Sequence, residues 1–131
     1  MDDLTAIFLT SNKVPAAWAE YHKQVLLEAL GDTPIIIVSR EPMTWGTLNL
    51  IDTEAPCPVN FYAQLLRGAQ AATTPYVAVV EDDTLYSKDH FSCFRSPLDT
   101  FAYNLHRWSV ATWTEPVYTM RLSKVGAASV S

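Results

Sequence analysis

The sequence predicts an α/β fold built on a mostly parallel central sheet. Three observations carry that expectation. Short, near-continuous apolar runs recur at Thr5–Leu9, Ile35–Val38 and Tyr76–Val80, and runs of that length between breakers read as strands buried on both faces. Between them lie longer stretches whose apolar residues return every three or four positions, as on one face of a helix. Strand, helix and strand in alternation favour parallel pairing, because a parallel pair needs a crossover.

Thr5–Leu9 is the first strand, and Thr10-Ser11-Asn12-Lys13 ends it. Pro15 stands where the first helical residue is expected, a place that suits its fixed φ and missing N–H. Trp18, Tyr21, Val25 and Ala29, with His22 and Leu26 beside them, mark the apolar face of the helix that follows. Gly31 is its stop signal. Ile35–Val38 is β-branched throughout and reads as the second strand. Ser39–Thr44 reads as loop, Thr47–Ile51 as a short third strand, and Asp52–Pro58 as a loop carrying two prolines. Asn60 is expected to cap a helix over Phe61–Ala72, with Phe61, Leu65, Leu66, Ala69 and Ala72 on its apolar face. Thr73-Thr74-Pro75 stops that helix, and Tyr76–Val80 forms the fourth strand, ending abruptly in Glu81-Asp82-Asp83. Ser87 is expected to open a short helix through Phe91. Phe101–Tyr103, Ser109–Trp113, Val117–Leu122 and Ala127–Val130 are expected as strands or edges. Residues 1–83 thus read as a nucleotide-binding half and residues 84–131 as an irregular, aromatic-rich half of one domain.

Composition narrows the function classes. A chain of 131 residues matches one core, since domains commonly take ~100–200 residues. Apolar types at 49% against 18% charged types provide for a packed interior. The net charge of −5 argues against a basic nucleic-acid footprint. Cys57 and Cys93 are too few for a disulfide framework and are expected as buried thiols. Met1-Asp2-Asp3 has no basic region of the kind that opens a secretory signal. The apolar runs fall far short of the ~18 residues a membrane span needs. The expectation is a soluble, cytoplasmic domain with no membrane span.

Glu81-Asp82-Asp83 is the most informative feature. Ligands of parallel α/β sheets bind beyond the carboxyl ends of the strands. Three consecutive carboxylates there repel one another, and a divalent cation relieves the repulsion. Hard oxygen donors suit Mg²⁺ or Mn²⁺, which lean on one or two carboxylates together with waters and substrate phosphates. A solvated acidic turn is the plain alternative.

The stretch from Gly68 through Ala72 and Tyr76 to Glu81-Asp82-Asp83 resembles the GT-A glycosyltransferases, especially the family 2-like group. There a helix with a Gly and an Ala leads through a short turn and a Tyr into an apolar strand ending in Asp-x-Asp. Ile7–Pro15 is similar to that family's first strand and its Thr-x-Asn-Arg-x-Pro turn, with Lys13 in place of Arg. Leu85–Phe91 is similar to the segment after the acidic motif, and Lys124–Val130 to the Gly-Ala-rich strand of the acceptor half. The resemblance touches most of the chain. It implies a GT-A, Rossmann-like sandwich and a metal-dependent transfer of sugar from a nucleoside-diphosphate-sugar donor to a hydroxyl acceptor, with Mn²⁺ or Mg²⁺ as cofactor. On it, Asp83 coordinates the metal that bridges the donor's diphosphate. Glu81 and Asp82 contact the ribose or metal-bound water, Asp82 being the second candidate metal residue. Thr10, Ser11 and Asn12 line the nucleoside pocket.

The sequence also departs from that pattern. Where the family often carries an acidic pair after the second strand, Ser39-Arg40 stand, and Arg40 becomes a candidate partner for a phosphate. The family's Ala-Arg-Asn before the Gly is replaced by Gln64, Leu65 and Leu66, and Arg67 is a candidate cation from one position over. For an inverting transfer the acceptor proton needs a carboxylate base; Glu115 is the first candidate and Asp99 the second. Under the same resemblance His90 and His106 are candidates for a further metal ligand. His22, on the amphipathic helix, is expected to be structural, Trp108 is expected in the core, and Trp113 is divided between core and sugar stacking. The chain ends at the Gly-Ala-rich strand, so it is expected to be a minimal member, a fragment, or one partner of an assembly.

The competing expectation is a non-catalytic nucleotide- or sugar-binding module or subunit that keeps the fold without turnover. Its support is the short length, the missing acidic pair and the unassigned base. Phosphate-loop, dinucleotide and nucleophile-elbow fingerprints are absent from the sequence, as is Cys-x-x-Cys spacing for zinc. A phosphohydrolase of the haloacid dehalogenase type needs its nucleophilic Asp on the first strand, whereas Glu81 leads the triplet on a late one. A receiver domain needs an acidic pair after the first strand, where Thr10-Ser11 stand.

Overall fold

The computed structural model describes residues 1–111, 115–121 and 128–130. Its elements run β1 (Leu4–Leu9), α1 (Ala16–Leu30), β2 (Ile35–Ser39), β3 (Leu48–Ile51), α2 (Pro58–Ala71), β4 (Tyr76–Glu81), α3 (Lys88–Ser92), β5 (Phe101–Tyr103), β6 (Arg107–Ala111), β7 (Val117–Arg121) and β8 (Ala128–Val130). Six strands make one sheet in the order β3-β2-β1-β4-β8-β5, and β6 and β7 form a separate two-stranded ribbon. The four strands β3, β2, β1 and β4 pair in parallel throughout. β8 runs antiparallel between β4 and β5. The architecture is α/β with a four-stranded all-parallel sheet, compatible with a Rossmann-like fold.

Strand order explains where the helices lie. The chain steps from β1 to β2 in one direction across the sheet and from β3 to β4 in the other. Right-handed crossovers then place their helices on opposite faces. Alternate residues of the strands divide accordingly. Leu4, Ala6, Phe8, Ile35, Ile37, Ala78 and Val80 pack with Leu26, Ala29 and Leu30 of α1. Ile7, Leu9, Val38, Val77 and Val79 pack against Phe61, Leu65 and Ala69 of α2. With both faces covered, every residue of β1 and β2 is buried, which is why these strands read as continuous apolar runs.

Several local expectations change. Pro15 is the residue preceding α1, one place earlier than expected. The buried face of α1 is His22, Leu26, Ala29 and Leu30, and Tyr21 is 53% exposed, so the helix is rotated from the face read in the sequence. α2 begins at Pro58, capped by Cys57, whose Sγ accepts from the Asn60 N–H at 3.3 Å. Asn60 therefore lies inside the helix instead of capping it, and Leu66 points to solvent. Both cysteines are exposed, not buried. Trp108 is 65% exposed, because β6 pairs only with β7 and stands off the main sheet. Trp113 and residues 122–127 lie outside the described residues. Among the described residues no helix is long and apolar enough to cross a membrane.

The link from β2 to β3, residues 40–47, has no helix, although parallel crossovers commonly take about a dozen residues or more. It folds back over the α1 side of the sheet, and Met43 and Trp45 pack on that face of the core. Gly46 takes φ +88°, and a Cβ there would stand 2.8 Å from Ile37 Cδ1. Gly68 governs the other face. A Cβ at Gly68 would stand 2.6 Å from Ile7 Cγ2, and Ile7 is fully buried and stiff at its branched Cβ. Gly68→Ala gains up to ~1 kcal/mol of helix propensity but overpacks the α2–β1 contact by ~1–3 kcal/mol. Urea unfolding is expected to show a net loss of about 1–2 kcal/mol; a stabilised variant would contradict the close approach of α2 to β1.

Candidate functional site

The order of the parallel strands reverses between β1 and β4, and a switch point of this kind opens a crevice beyond the carboxyl ends of its two strands. β1 pairs with β4 up to Leu9 and Glu81. Thr10 and Asp82 therefore leave the sheet side by side, and the Thr10 hydroxyl donates to Asp82 Oδ2 at 2.7 Å.

The acidic turn is held through its backbone. Trp18 and His22, four residues apart and so on one face of α1, reach up to it. Trp18 Nε1 donates to the Asp82 carbonyl at 2.7 Å. His22 Nε2 lies 3.0 Å from the Glu81 carbonyl and 2.8 Å from the Thr84 carbonyl. Both partners only accept, so that nitrogen carries the proton. The Glu81 N–H donates to the Tyr86 hydroxyl at 3.0 Å. His22 is 2% exposed, in line with the structural role expected of it, and its hydrogen bonds give that role a purpose.

On the α2 side the turn borders a cleft of about 250 Å³. Thr10, Ser11, Arg40, Glu81, Asp82 and Asp83 all line it, so six of the seven donor-site candidates at strand ends gather in one place. Asn12 instead organises the rim. It takes φ +59°, and its Oδ1 accepts the Arg40 N–H at 2.8 Å and the Glu41 N–H at 3.0 Å. Arg67 does not line the cleft; its Nη1 donates to the Ile51 carbonyl at 3.1 Å.

A group that sequence reading passed over as loop lies beneath the cleft. Asp52, directly after β3, is 3% exposed. Its Oδ2 accepts from Asn60 Nδ2 at 2.9 Å, from Gln64 Nε2, and from Arg40 Nη1 at 3.1 Å. Its Oδ1 accepts the Glu54 N–H at 3.3 Å. Arg40 also donates to the Glu54 carbonyl. Burial alone would push the Asp52 carboxyl up, but hydrogen bonds from Asn60, Gln64 and the Glu54 N–H, with the Arg40 charge, outweigh it and hold the group below its ordinary 3.8. The spacing of Asn60 and Gln64, a polar pair four apart on an otherwise apolar helix face, is the signal that could have exposed this hub.

Glu81 is electrostatically the reverse of Asp52. Burial, then the charges of Asp83 and Asp82, push the Glu81 carboxyl up, and Arg107 pulls the other way. Asp83 is exposed, with Oδ1 taking the Thr84 hydroxyl at 3.0 Å. Among the described residues no three His, Cys, Asp or Glu side chains converge as a protein-only metal cage. The donor set is two neighbouring hard carboxylates with open lone pairs at a cleft mouth, which fits a Mg²⁺ or Mn²⁺ ion whose shell is completed by phosphate and water. His90 lies elsewhere. It borders a separate, largely apolar cavity, its Nδ1 meets Asn104 Nδ2 at 3.0 Å, and burial lowers its pKa. Neither His106, Asp99 nor Glu115 lines the cleft beside the triplet.

No protein-family model matches this sequence, and no curated protein matches it.

The Asp52 hub predicts a pH dependence. Its folded pKa lies below the unfolded value, so its contribution is complete above the unfolded value near 3.8 and drains as pH falls through the lower folded value. Asp52→Asn is expected to cost about 1–3 kcal/mol at neutral pH. The gap from the parent chain should close in acid, as followed by denaturant midpoints across pH. A gap independent of pH would assign the loss to packing instead of charge.

Proposed function

We propose that this chain is a GT-A-like, metal-dependent glycosyltransferase domain that takes a nucleoside-diphosphate sugar and passes the sugar to a hydroxyl acceptor. The observation that carries the reading is the meeting of Thr10, Ser11 and Arg40 with Glu81-Asp82-Asp83 in one cleft at the switch point of a parallel sheet. Asp83 and Asp82 would hold a Mg²⁺ or Mn²⁺ ion. Bound there, the ion supplies Lewis-acid neutralisation of the negative charge that grows on a departing diphosphate.

The chain's own residues prepare that chemistry. Trp18 and His22 fix the backbone of the acidic turn, so its main chain needs no reordering when a ligand arrives. Thr10 orients Asp82 through one carboxylate oxygen and leaves the other for a ligand. Arg40 is positioned by Asp52 and gives the cleft its cation. In the transfer itself the anomeric carbon loses its bond to the diphosphate oxygen and gains one to the acceptor oxygen, whose proton passes to a base.

One observation favours a second reading, a nucleotide- or sugar-binding module without turnover. Neither carboxylate proposed as base, Asp99 or Glu115, borders the cleft. Sugar transfer or donor hydrolysis by the purified chain separates the two readings.

Titration calorimetry with UDP, GDP and their sugars, with and without Mn²⁺, tests the donor site on the parent chain and on Asp83→Ala. Metal-dependent binding is expected, weakened about tenfold or more in Asp83→Ala, equivalent to ~1.4 kcal/mol or more. Equal binding in the absence of metal, or an unaffected variant, would remove the metal role. No binding by any nucleotide would leave the triplet a solvated turn.

A further inference from the structure

A second cavity lies on the opposite, α1 side of the same strand ends. It measures about 350 Å³, at the lower end of the ~300–1,000 Å³ range of small-molecule sites. Thr10 and Asp82 are common to both cavities, so their hydrogen bond is the partition between them.

The lining chemistry differs from that of the triplet cleft. One wall is aromatic. The rings of Phe8 and Trp45 stand 5.3 Å apart, tilted by 43°, and Phe8 stacks on His22 at 5.4 Å. Met43 continues this apolar surface, fixed by Asn12 Nδ2, which lies 3.2 Å from its sulfur. The polar lining is mainly acidic. Lys23 is paired with Glu20 at 3.4 Å, so Glu41 and Asp82 leave the pocket with net negative character.

These features select a ligand class. A phosphate or carboxylate would meet two like charges, each of which repels it. Phe8 is buried between His22 and Trp45, so Trp45 alone offers a ring face, backed by Phe8. The two rings do not form the parallel slot that would sandwich a nucleobase. An apolar ring face laid on that wall, with hydroxyls donating to Asp82 and Glu41, satisfies both halves of the pocket. Hydrogen bonds to ionised acceptors are the strong ones.

We propose that the α1-side pocket is a second ligand site that takes an uncharged, hydroxylated ring, a pyranose, on the ring face of Trp45, which packs over the buried Phe8. The ligand class stands on the pocket alone. The further step, that this ring lies beside the donor across Asp82, rests on the glycosyltransferase reading.

The test is a ¹H–¹⁵N titration of the full chain with methyl glucoside, methyl galactoside, methyl mannoside and methyl N-acetylglucosaminide, with choline as a cation probe and UDP plus Mn²⁺ in parallel. At least one glycoside is expected to shift the Trp45 indole and the Glu41 amide with millimolar affinity. Trp45→Ala should weaken that binding about tenfold or more and leave UDP–Mn²⁺ binding within about twofold. Trp45→Phe, which keeps an aromatic wall, should fall between and serves if the alanine variant does not fold. A glycoside displaced by UDP-sugar but not by UDP identifies the donor's own ring, and one that binds alongside UDP-sugar identifies an acceptor ring; both keep the site. Shifts with choline alone, no shift with any glycoside, or glycoside binding indifferent to Trp45 would overturn the proposal. Failure of UDP to bind, with glycoside shifts intact, would instead count against the donor site and leave this pocket standing.

Discussion

Three consecutive carboxylates at the end of a buried strand have to be held against their own repulsion, and the rest of the site depends on how that is done. The grip is on the backbone. α1 sends up Trp18 and His22, one turn apart, to donate to the carbonyls of Glu81, Asp82 and Thr84. Tyr86 receives the Glu81 N–H from the far side of the turn. Because these bonds occupy main-chain atoms, they fix the turn without consuming its carboxylate oxygens. A rigid turn with open carboxylates can bind with little reorganisation.

The parallel sheet is what makes that grip reachable. β1 and β4 end in register, so Thr10 meets Asp82 across one strand spacing. α1 follows β1 after a short turn and packs beneath β4's end on one face, while α2 opens a cleft on the other. The helixless link between β2 and β3 then brings Met43 and Trp45 over Phe8. Two cavities of different chemistry thus flank one hydrogen bond. The one toward α2 has the cation Arg40 and the other has an aromatic wall. A strand order without the reversal at β1 would have placed both helices on one face and closed one of these spaces.

Much of this frame was legible in the sequence. Buried parallel strands leave runs that solvent-facing strands do not, so Thr5–Leu9, Ile35–Val38 and Tyr76–Val80 fell where strands lie. The acidic triplet was visible because it broke such a run. Two kinds of feature were hidden. The rotation of α1 was hidden because the groups that draw His22 inward are carbonyls about sixty residues away in sequence. Asp52 was hidden because a carboxylate opening a loop with two prolines reads as solvated, and only the fold brings Arg40, Asn60 and Gln64 to it. Trp108 was misplaced for the opposite reason. Its apolar bulk suggested a core position, but the ribbon of β6 and β7 pairs with itself and leaves that side chain in solvent.

Asp52 and Glu81 carry opposite electrostatic balances. Asp52 is buried, yet every nearby donor is aimed at it, so its ionised form is stabilised and its hydrogen-bonding capacity is largely filled. Removing a partner would cost stability, and adding a ligand would offer it little. Glu81, beside Asp82 and Asp83, has the reverse balance. Burial and mutual repulsion raise the Glu81 carboxyl, which means that ionisation there costs folding free energy as pH rises through the region above 4.5. A protein that only needed an acidic turn could place those charges farther apart in solvent. Here Trp18, His22 and Tyr86 hold the backbone that keeps them together at a cleft mouth, and on the proposed glycosyltransferase reading a bound cation would offset the electrostatic cost.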